Sequence, residues 1–425
     1  MKKKTELTAE IKYHLLKDIS HKIRGTLDLD KILNLLLDLL SEIIHYDAAG
    51  IFILKDSIDY PGHYSPEQKI AGIAQRGFGN LPPESDTMLM EGKGIIGQTI
   101  KTGKGVILPD VSKEKGYIAG RKESKSEITS PIFRDSKSIG ALNVESDILD
   151  AFTKDDIKVL DFFAEAASIS IEMALLHYRI LENKKIEEQL QLAKNVQLGL
   201  LPTSEPEING YQFSGICIPT YDIGGDYFDY ICLDENRLAI LVADVSGHGI
   251  PAALIMAAFR ALLRYNAKLF SDPAELMKVM NQHVSEFMRT RDFISVFYGI
   301  LDHKNHKLIY SNCGHNPSLH LNSSKTILLE GTGPSLNLVK DAEFMSEEIY
   351  IGKNDKILFY TDGVTEVFNE ENEQFGLDRL KDLLTANKDE APDKIIRNII
   401  LSTKAYCSSD FYSDDFTLLA LKRIA

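Results

Sequence analysis

Four short blocks in the second half of the chain each place carboxylates at the end of a strand-like run. They read Asp222-Ile-Gly-Gly-Asp226-Tyr-Phe-Asp229, Leu241-Val-Ala-Asp244-Val-Ser-Gly-His-Gly249, Ile357-Leu-Phe-Tyr-Thr-Asp362-Gly-Val-Thr-Glu366 and Ser413-Asp414-Asp415-Phe-Thr-Leu-Leu-Ala-Leu421. Adjacent glycines at 224 and 225 let the backbone approach a ligand closely and present Asp226 without obstruction. Taken singly, each aspartate could cap a helix or start a turn. Taken together, carboxylates converging from four strand ends repel one another unless cations neutralise them, and hard oxygen donors without His or Cys suit Mg²⁺ or Mn²⁺. Two such ions about 3.5–4 Å apart acidify a water and hold a phosphoryl group for in-line attack, which makes phosphoester hydrolysis the expected reaction class.

The elements that must position these blocks follow from periodicity. After Pro202 the chain breaks into short β-rich runs at 212–219, 227–233, 237–245, 296–301, 307–311, 318–321, 355–360 and 416–421. Helical patterns interrupt them at 250–270, 273–289, 377–384 and 393–406, so two sheets with helices outside account for the order. The first half opens with helical spacing through Ile19, Ile23, Leu27, Ile32, Leu35, Leu36, Leu39, Leu40 and Ile43. Strands are expected at 48–54, 69–76, 128–133 and 138–144, with a polar loop at Tyr60–Pro66, a short helix from Gly92 and an extended segment at 105–111. From Phe152 no glycine occurs until Gly199 and no proline until Pro202. One or two long helices carrying the stripe Leu175, Tyr178, Ile186, Leu190, Ala193, Val196 and Leu200 therefore join the halves, packing on a neighbouring domain or on a second protomer as a coiled coil. The expected class is α+β and multi-domain: an extension at 1–14, a sensor domain with an antiparallel sheet at 15–165, a helical coiled-coil linker at 166–201 and a catalytic domain at 202–425.

Composition narrows the function. A length of 425 residues exceeds what one core serves. The net charge of −14 argues against nucleic acid or a lipid surface as partner, because such polyanions select basic patches. The basic start Met1-Lys-Lys-Lys is followed by Glu6, Glu10 and Lys12 rather than an apolar signal core, and no run is long enough to span a bilayer, so a cytoplasmic protein is expected. The four cysteines, Cys217, Cys232, Cys313 and Cys407, form no CxxC pair and all lie after residue 200. Neither a disulfide framework nor a thiolate zinc site is indicated, and sensing by the first half cannot use a cysteine-linked chromophore.

Thr26-Leu-Asp-Leu-Asp-Lys-Ile-Leu33, Gly92-Lys-Gly-Ile-Ile-Gly97, Val106-Ile-Leu-Pro-Asp-Val111, Ile139-Gly-Ala-Leu-Asn-Val144 and Phe152-Thr-Lys-Asp-Asp156 together resemble a GAF domain over residues 15–180. Such domains bind small molecules or only dimerise, so the ligand stays open. The four aspartate blocks, with 18 residues from Asp226 to Asp244, resemble the SpoIIE-like branch of the PPM (protein phosphatase 2C) family of serine/threonine phosphatases over residues 195–425. This resemblance implies a PPM-type β-sandwich flanked by helices and two Mn²⁺ or Mg²⁺ ions. Their ligands would be Asp226, Asp244, the Val245 backbone carbonyl, Asp362 and Asp414, with Asp415 as the alternative to Asp414. Asp226 and Asp244 would hold the activated water.

His248 is a candidate general acid or a turn residue, since Ser246 takes the second place after Asp244; His315 and Asn316 in Tyr310-Ser-Asn-Cys-Gly-His-Asn-Pro317 are candidates for the site edge. No arginine flanks the Asp226 block, which leaves phosphate binding to the metals. The resemblance further implies a phosphorylated STAS-type anti-anti-sigma protein as substrate in a bacterial partner-switching pathway, and a homodimer. Two rivals are a nucleotide cyclase, which would need triphosphate-recognising Lys or Arg near its metal strands, and a non-catalytic scaffold, which would have lost a ligand aspartate.

Overall fold

The computed structural model describes residues 28–54, 57, 70–78, 92–220, 223–323, 325–407, 412 and 414–425. The terminal extension, the first part of the opening helix, the Tyr60–Pro66 loop, Asp222 and Ser413 lie outside the described residues. The chain divides into two compact units, Met1–Lys185 and Ile186–Ala425.

In the first unit, helix α1 (Leu29–Ile43) starts at Asp28, whose carboxylate accepts the Lys31 amide, and buries Leu29, Ile32, Leu33, Leu36, Leu37 and Leu40. Strands β1 (Ala48–Leu54) and β2 (Ile70–Arg76), helix α2 (Gly94–Thr102), then β3 (Val106–Leu108), β4 (Ser126–Arg134) and β5 (Lys137–Ser146) follow. The sheet is antiparallel in the order β2-β1-β5-β4-β3. Asp135 and Ser136 take φ of 47° and 64°, the paired positive angles of a tight hairpin turn, and so close β4 onto β5. Helix α3 (Lys154–Leu198) runs unbroken for 45 residues. The expected boundary at 165/166 therefore falls inside one helix. Its first half packs Leu160, Phe163, Ala167, Ile171 and Leu175 against the α1 face of the sheet. Leu175 thus belongs to this core and not to a free stripe, whereas Ile169, Met173, Leu176 and Ile180, spaced four, three and four apart, are about half exposed or more.

The opposite sheet face is unusual. Glu127 on β4 stands directly across from Glu145 on β5, and the two are 3% and 2% exposed. Thr129 donates to Glu127 at 3.2 Å and Asn143 to Glu145 at 3.2 Å, while the Ser124 hydroxyl also bonds Glu145. Burial first, and the neighbouring Glu145 second, push the Glu127 carboxyl up to about 8; burial likewise raises Glu145.

The second unit is a four-layer α/β/β/α sandwich. Its strands are β6 (Tyr211–Ile218), β7 (Tyr227–Cys232), β8 (Arg237–Val245), β9 (Ile294–Asp302), β10 (Lys307–Cys313), β11 (Ser318–Leu321), β12 (Thr326–Leu329), β13 (Glu347–Tyr350), β14 (Lys356–Tyr360) and β15 (Phe416–Arg423). One sheet has the order β13-β10-β9-β8-β7 and the other β12-β11-β14-β15-β6. Strands β12 and β13 went unread in the sequence because each is a four-residue edge strand. Alternate residues of each strand face the partner sheet. Phe228, Ile240, Val242, Phe297, Tyr310, Phe359 and Leu419 fill the space between the sheets. The other face of the first sheet packs on α4 (Ile250–Asn266) and α5 (Pro273–Ser285) through Met256, Phe259, Met277 and Met280. The second sheet carries the one-turn α6 (Asp362–Thr365), α7 (Gly376–Ala386) and α8 (Pro392–Tyr406), with Leu380, Ile395 and Ile399 buried. Among the described residues no helix is long and apolar enough to cross a membrane.

The Glu127–Glu145 pair gives a pH-dependent prediction. A carboxyl raised from about 4.5 to about 8 costs the folded state nothing below the lower value, progressively more as pH rises from the lower value to the upper one, and its full amount above the upper one. Glu127→Gln removes that cost. Urea unfolding of the full chain should show the first unit stabilised by on the order of 1–3 kcal/mol at pH 8, with the gain vanishing near pH 4.5. An equal effect at both pH values would mean that the pair is not a source of electrostatic strain.

Candidate active site

The inward register of the sandwich locates the site. Extending the inward-facing positions of each strand past its last apolar residue brings Asp226 (from Phe228), Asp244 (from Val242), Ser295 (from Phe297), Thr361 (from Phe359), and Thr417 and Asp415 (from Leu419) to one end of the sandwich. The alternation that builds the core thus delivers polar groups to its edge.

Asp226 is 3% exposed. Thr361 donates its hydroxyl to the Asp226 carboxylate at 2.8 Å, and the Thr417 amide donates to Thr361 Oγ1 at 3.1 Å, which fixes that hydroxyl. Burial, and then the neighbouring Asp244 and Asp415, hold the Asp226 carboxyl well above its ordinary range against these hydrogen bonds. Asp244 is pushed up to about 7 by burial and by Asp362, Asp414 and Asp415. Asp362 is raised by burial, Asp414 and Glu366. These carboxylates therefore feel one another.

Asp414 and Asp415 differ sharply in surroundings. Asp415 is 5% exposed, and its carboxylate accepts the Thr220 amide at 2.8 Å and the Gly225 amide at 2.6 Å. It serves the backbone that presents Asp226. Asp414 is exposed, and its carboxylate accepts the Asp415 amide at 2.8 Å. Gly224 packs so closely on Asp415 that a Cβ there would overlap the carboxylate. The Val245 carbonyl lies where a Cβ on Gly225 would come within 2.8 Å of it.

The remaining sequence candidates are placed as follows. Ser246 pairs with Phe293, its amide donating to the Phe293 carbonyl at 3.0 Å and its hydroxyl accepting the Phe293 amide at 2.9 Å, so it closes the end of the β8–β9 ladder. His248 is exposed in the turn before α4. His315 is buried, 6% exposed, with Nδ1 2.7 Å from Ser295 Oγ. Asp229, 1% exposed, sits on the same block as Asp226 but is taken up by the Tyr227 hydroxyl and by Arg264 of α4 at 2.6 Å. Three participants escaped the sequence reading. Thr361 lies in a block already singled out, whereas Ser295 stands one residue before the strand expected at 296–301 and bonds His315, not a carboxylate. Gln197, near the end of α3, gave no signal: its side chain donates to the Gly224 carbonyl at 2.6 Å and accepts the Gly224 amide at 3.1 Å.

The donor set has the chemistry of a cation site. It is all oxygen, its carboxylates are raised by burial and by one another, and Arg264, bonded within the Asp226 block, is committed to Asp229. Among the described residues no three acidic, His or Cys side chains are already gathered on a single ion position. Chemically the set fits hard cations that keep several waters, as Mg²⁺ does.

Comparison with known proteins agrees with this reading. Residues 234–424 match the family described as Stage II sporulation protein E (SpoIIE), and residues 26–172 match the GAF domain family. The chain is similar to phosphoserine phosphatase RsbU of Bacillus subtilis, at 27% identity over 66% of this chain and 84% of that protein. It is also similar to protein IcfG of Synechocystis sp., at 29% identity over 55% of this chain; the match spans only 41% of that relative. The SiaA-PP2C domain of Pseudomonas aeruginosa superposes with a TM-score of 0.51 at 20% identity, covering 58% of this chain and 98% of that domain, which is a likeness of fold. Residues 26–172 of this chain thus belong to the GAF domain family, and residues 234–424 to the SpoIIE family.

Proposed function

We propose that the chain is a metal-dependent phosphoprotein phosphatase acting on phosphoserine or phosphothreonine, with the GAF domain regulating it through α3. The observation that carries this reading is the convergence of Asp226, Asp244, Asp362 and Asp414 at one sandwich edge, where each of the first three is held above its ordinary pKa by burial and by acidic neighbours. Asp226, Asp244, the Val245 carbonyl, Asp362 and Asp414 would hold two Mn²⁺ or Mg²⁺ ions. Those ions supply an acidified water and neutralise the charge on the phosphoryl group. Thr361 orients the Asp226 carboxylate, and Asp415 fixes the Gly225 backbone beside it. His248, exposed in the turn after Asp244, would be the candidate to return a proton to the leaving seryl oxygen.

RsbU is named a phosphoserine phosphatase, which supports the substrate class. By the SpoIIE-like resemblance the phosphoprotein is a STAS-type anti-anti-sigma factor in a partner-switching pathway. Regulation has a physical route in Gln197, whose amide clamps both polar groups of Gly224 and so links the end of α3 to the loop bearing Asp226. The exposed stripe Ile169, Met173, Leu176 and Ile180 has the spacing of a coiled-coil seam, and a second copy of the chain is its proposed partner.

Three outcomes are expected. The purified chain should hydrolyse a phosphoserine peptide with Mn²⁺ or Mg²⁺, and Asp244→Ala should lower the rate at least about 100-fold; a parent inactive with both ions, or an undiminished mutant, would sink the assignment. Gln197→Ala, which removes two hydrogen bonds, should lower activity about 10-fold at limiting Mn²⁺, whereas Gln191→Ala on the exposed part of α3 should not. In sedimentation, Met173→Lys with Ile180→Lys should convert a dimer to a monomer; a parent already monomeric refutes the seam.

A further inference from the structure

The β8–β9 register sets Asp244 directly opposite Ser295 on the inward face, so their Cβ atoms stand about 5 Å apart. A serine hydroxyl in that position, 8% exposed, would ordinarily donate to the carboxylate. Here Ser295 Oγ bonds His315 Nδ1 at 2.7 Å instead. The loop that carries the imidazole is built to hold it. The His315 amide donates to Asn312 Oδ1 at 2.9 Å, the Asn312 side chain donates to the Leu329 carbonyl at 3.2 Å, and the Asn312 amide donates to Thr332 Oγ1 at 2.9 Å. Burial holds the ring neutral, depressing it to about 4, so one nitrogen carries a proton and the other a lone pair. Nε2 is buried without a hydrogen bond of good geometry, and the Tyr360 carbonyl, two residues before Asp362, favours a proton on the ring. With the proton on Nε2, Nδ1 is the acceptor and Ser295 the donor.

We infer that His315 is a positioning residue that draws the Ser295 hydroxyl proton away from Asp244, leaving that carboxylate's lone pairs to cations. The inference rests on Asp244 being a metal ligand and goes beyond it by giving a role to two buried residues that touch no substrate. A hydroxyl freed to bond Asp244 would compete with the ion, and a hydrogen bond to a charged group, worth about 1.5–3 kcal/mol, corresponds to about 10–100-fold in affinity.

The test is Mn²⁺ binding by titration calorimetry on the full chain, read independently of turnover. His315→Leu should weaken binding about 10-fold or more. His315→Asn, whose Oδ1 replaces the Nδ1 acceptor, should bind as the parent does. Ser295→Ala should also bind as the parent does, and Ser295→Ala added to His315→Leu should restore the affinity lost in the single variant. A merely structural histidine predicts no such restoration. Failure of the double variant to recover overturns the inference, as does weakened binding by Ser295→Ala alone, a result that stands whether or not His315→Leu folds. Loss of binding in Asp244→Ala with His315→Leu unchanged would overturn this inference while leaving the metal site intact; a parent that binds no Mn²⁺ would overturn both.

Discussion

Mutual repulsion among carboxylates packed into a dry edge is the constraint around which the second unit is organised. Burying like charges is expensive unless partners or cations offset it. The contacts around Asp226 each answer that demand. Thr361 gives it a hydroxyl, Thr417 fixes Thr361, and Asp415 holds the neighbouring backbone by two amides. These bonds fix directions without removing charge, and the carboxyls of Asp226, Asp244 and Asp362 remain raised. In the proposed reading cations offset the charge that these bonds leave in place.

The first unit meets the same electrostatic problem and answers it differently. Glu127 and Glu145 face each other across a ladder, but their hydrogen bonds come from neutral groups, and Glu127 is raised to about 8. There a proton does what cations are proposed to do in the second unit. The GAF domain family covers this fold, while what this face of the sheet meets is a separate question that family membership leaves open.

Much of this architecture was legible in the sequence, for identifiable reasons. Strands such as Leu241–Ala243 and Ile357–Tyr360 are apolar runs ending in Asp, and the jump from period two to period 3.6 marks α4 and α8. The aspartate blocks were legible because several residue types recur together. Thr361, Ser295 and Gln197 were not, because their roles depend on register with residues far along the chain: Thr361 meets Asp226 across 135 positions. A lone hydroxyl or amide carries no periodicity. The preference for Asp414 over Asp415 came from resemblance, whereas the physical contrast between them, one carboxylate consumed by backbone amides and the other exposed, required the fold. The long helix α3 was legible from the glycine- and proline-free stretch between Phe152 and Gly199, whereas its division into a core-packed first half and an exposed remainder shows only in the fold, because one unbroken backbone carries both.

The packing of Asp415 has a consequence for how this domain can change over time. Side chains added at Gly224 or at Gly363 would each collide with Asp415, the first with its carboxylate and the second with its carbonyl. Three blocks, at Gly224, Gly363 and Asp415, are therefore interlocked at one point, and none can drift alone. Substitution in any of them is tolerated only with a compensating change in another, so descendants of this chain should inherit the Gly-Gly-Asp, Asp-Gly and Asp-Asp steps as a single hereditary unit, even where the helices outside them diverge.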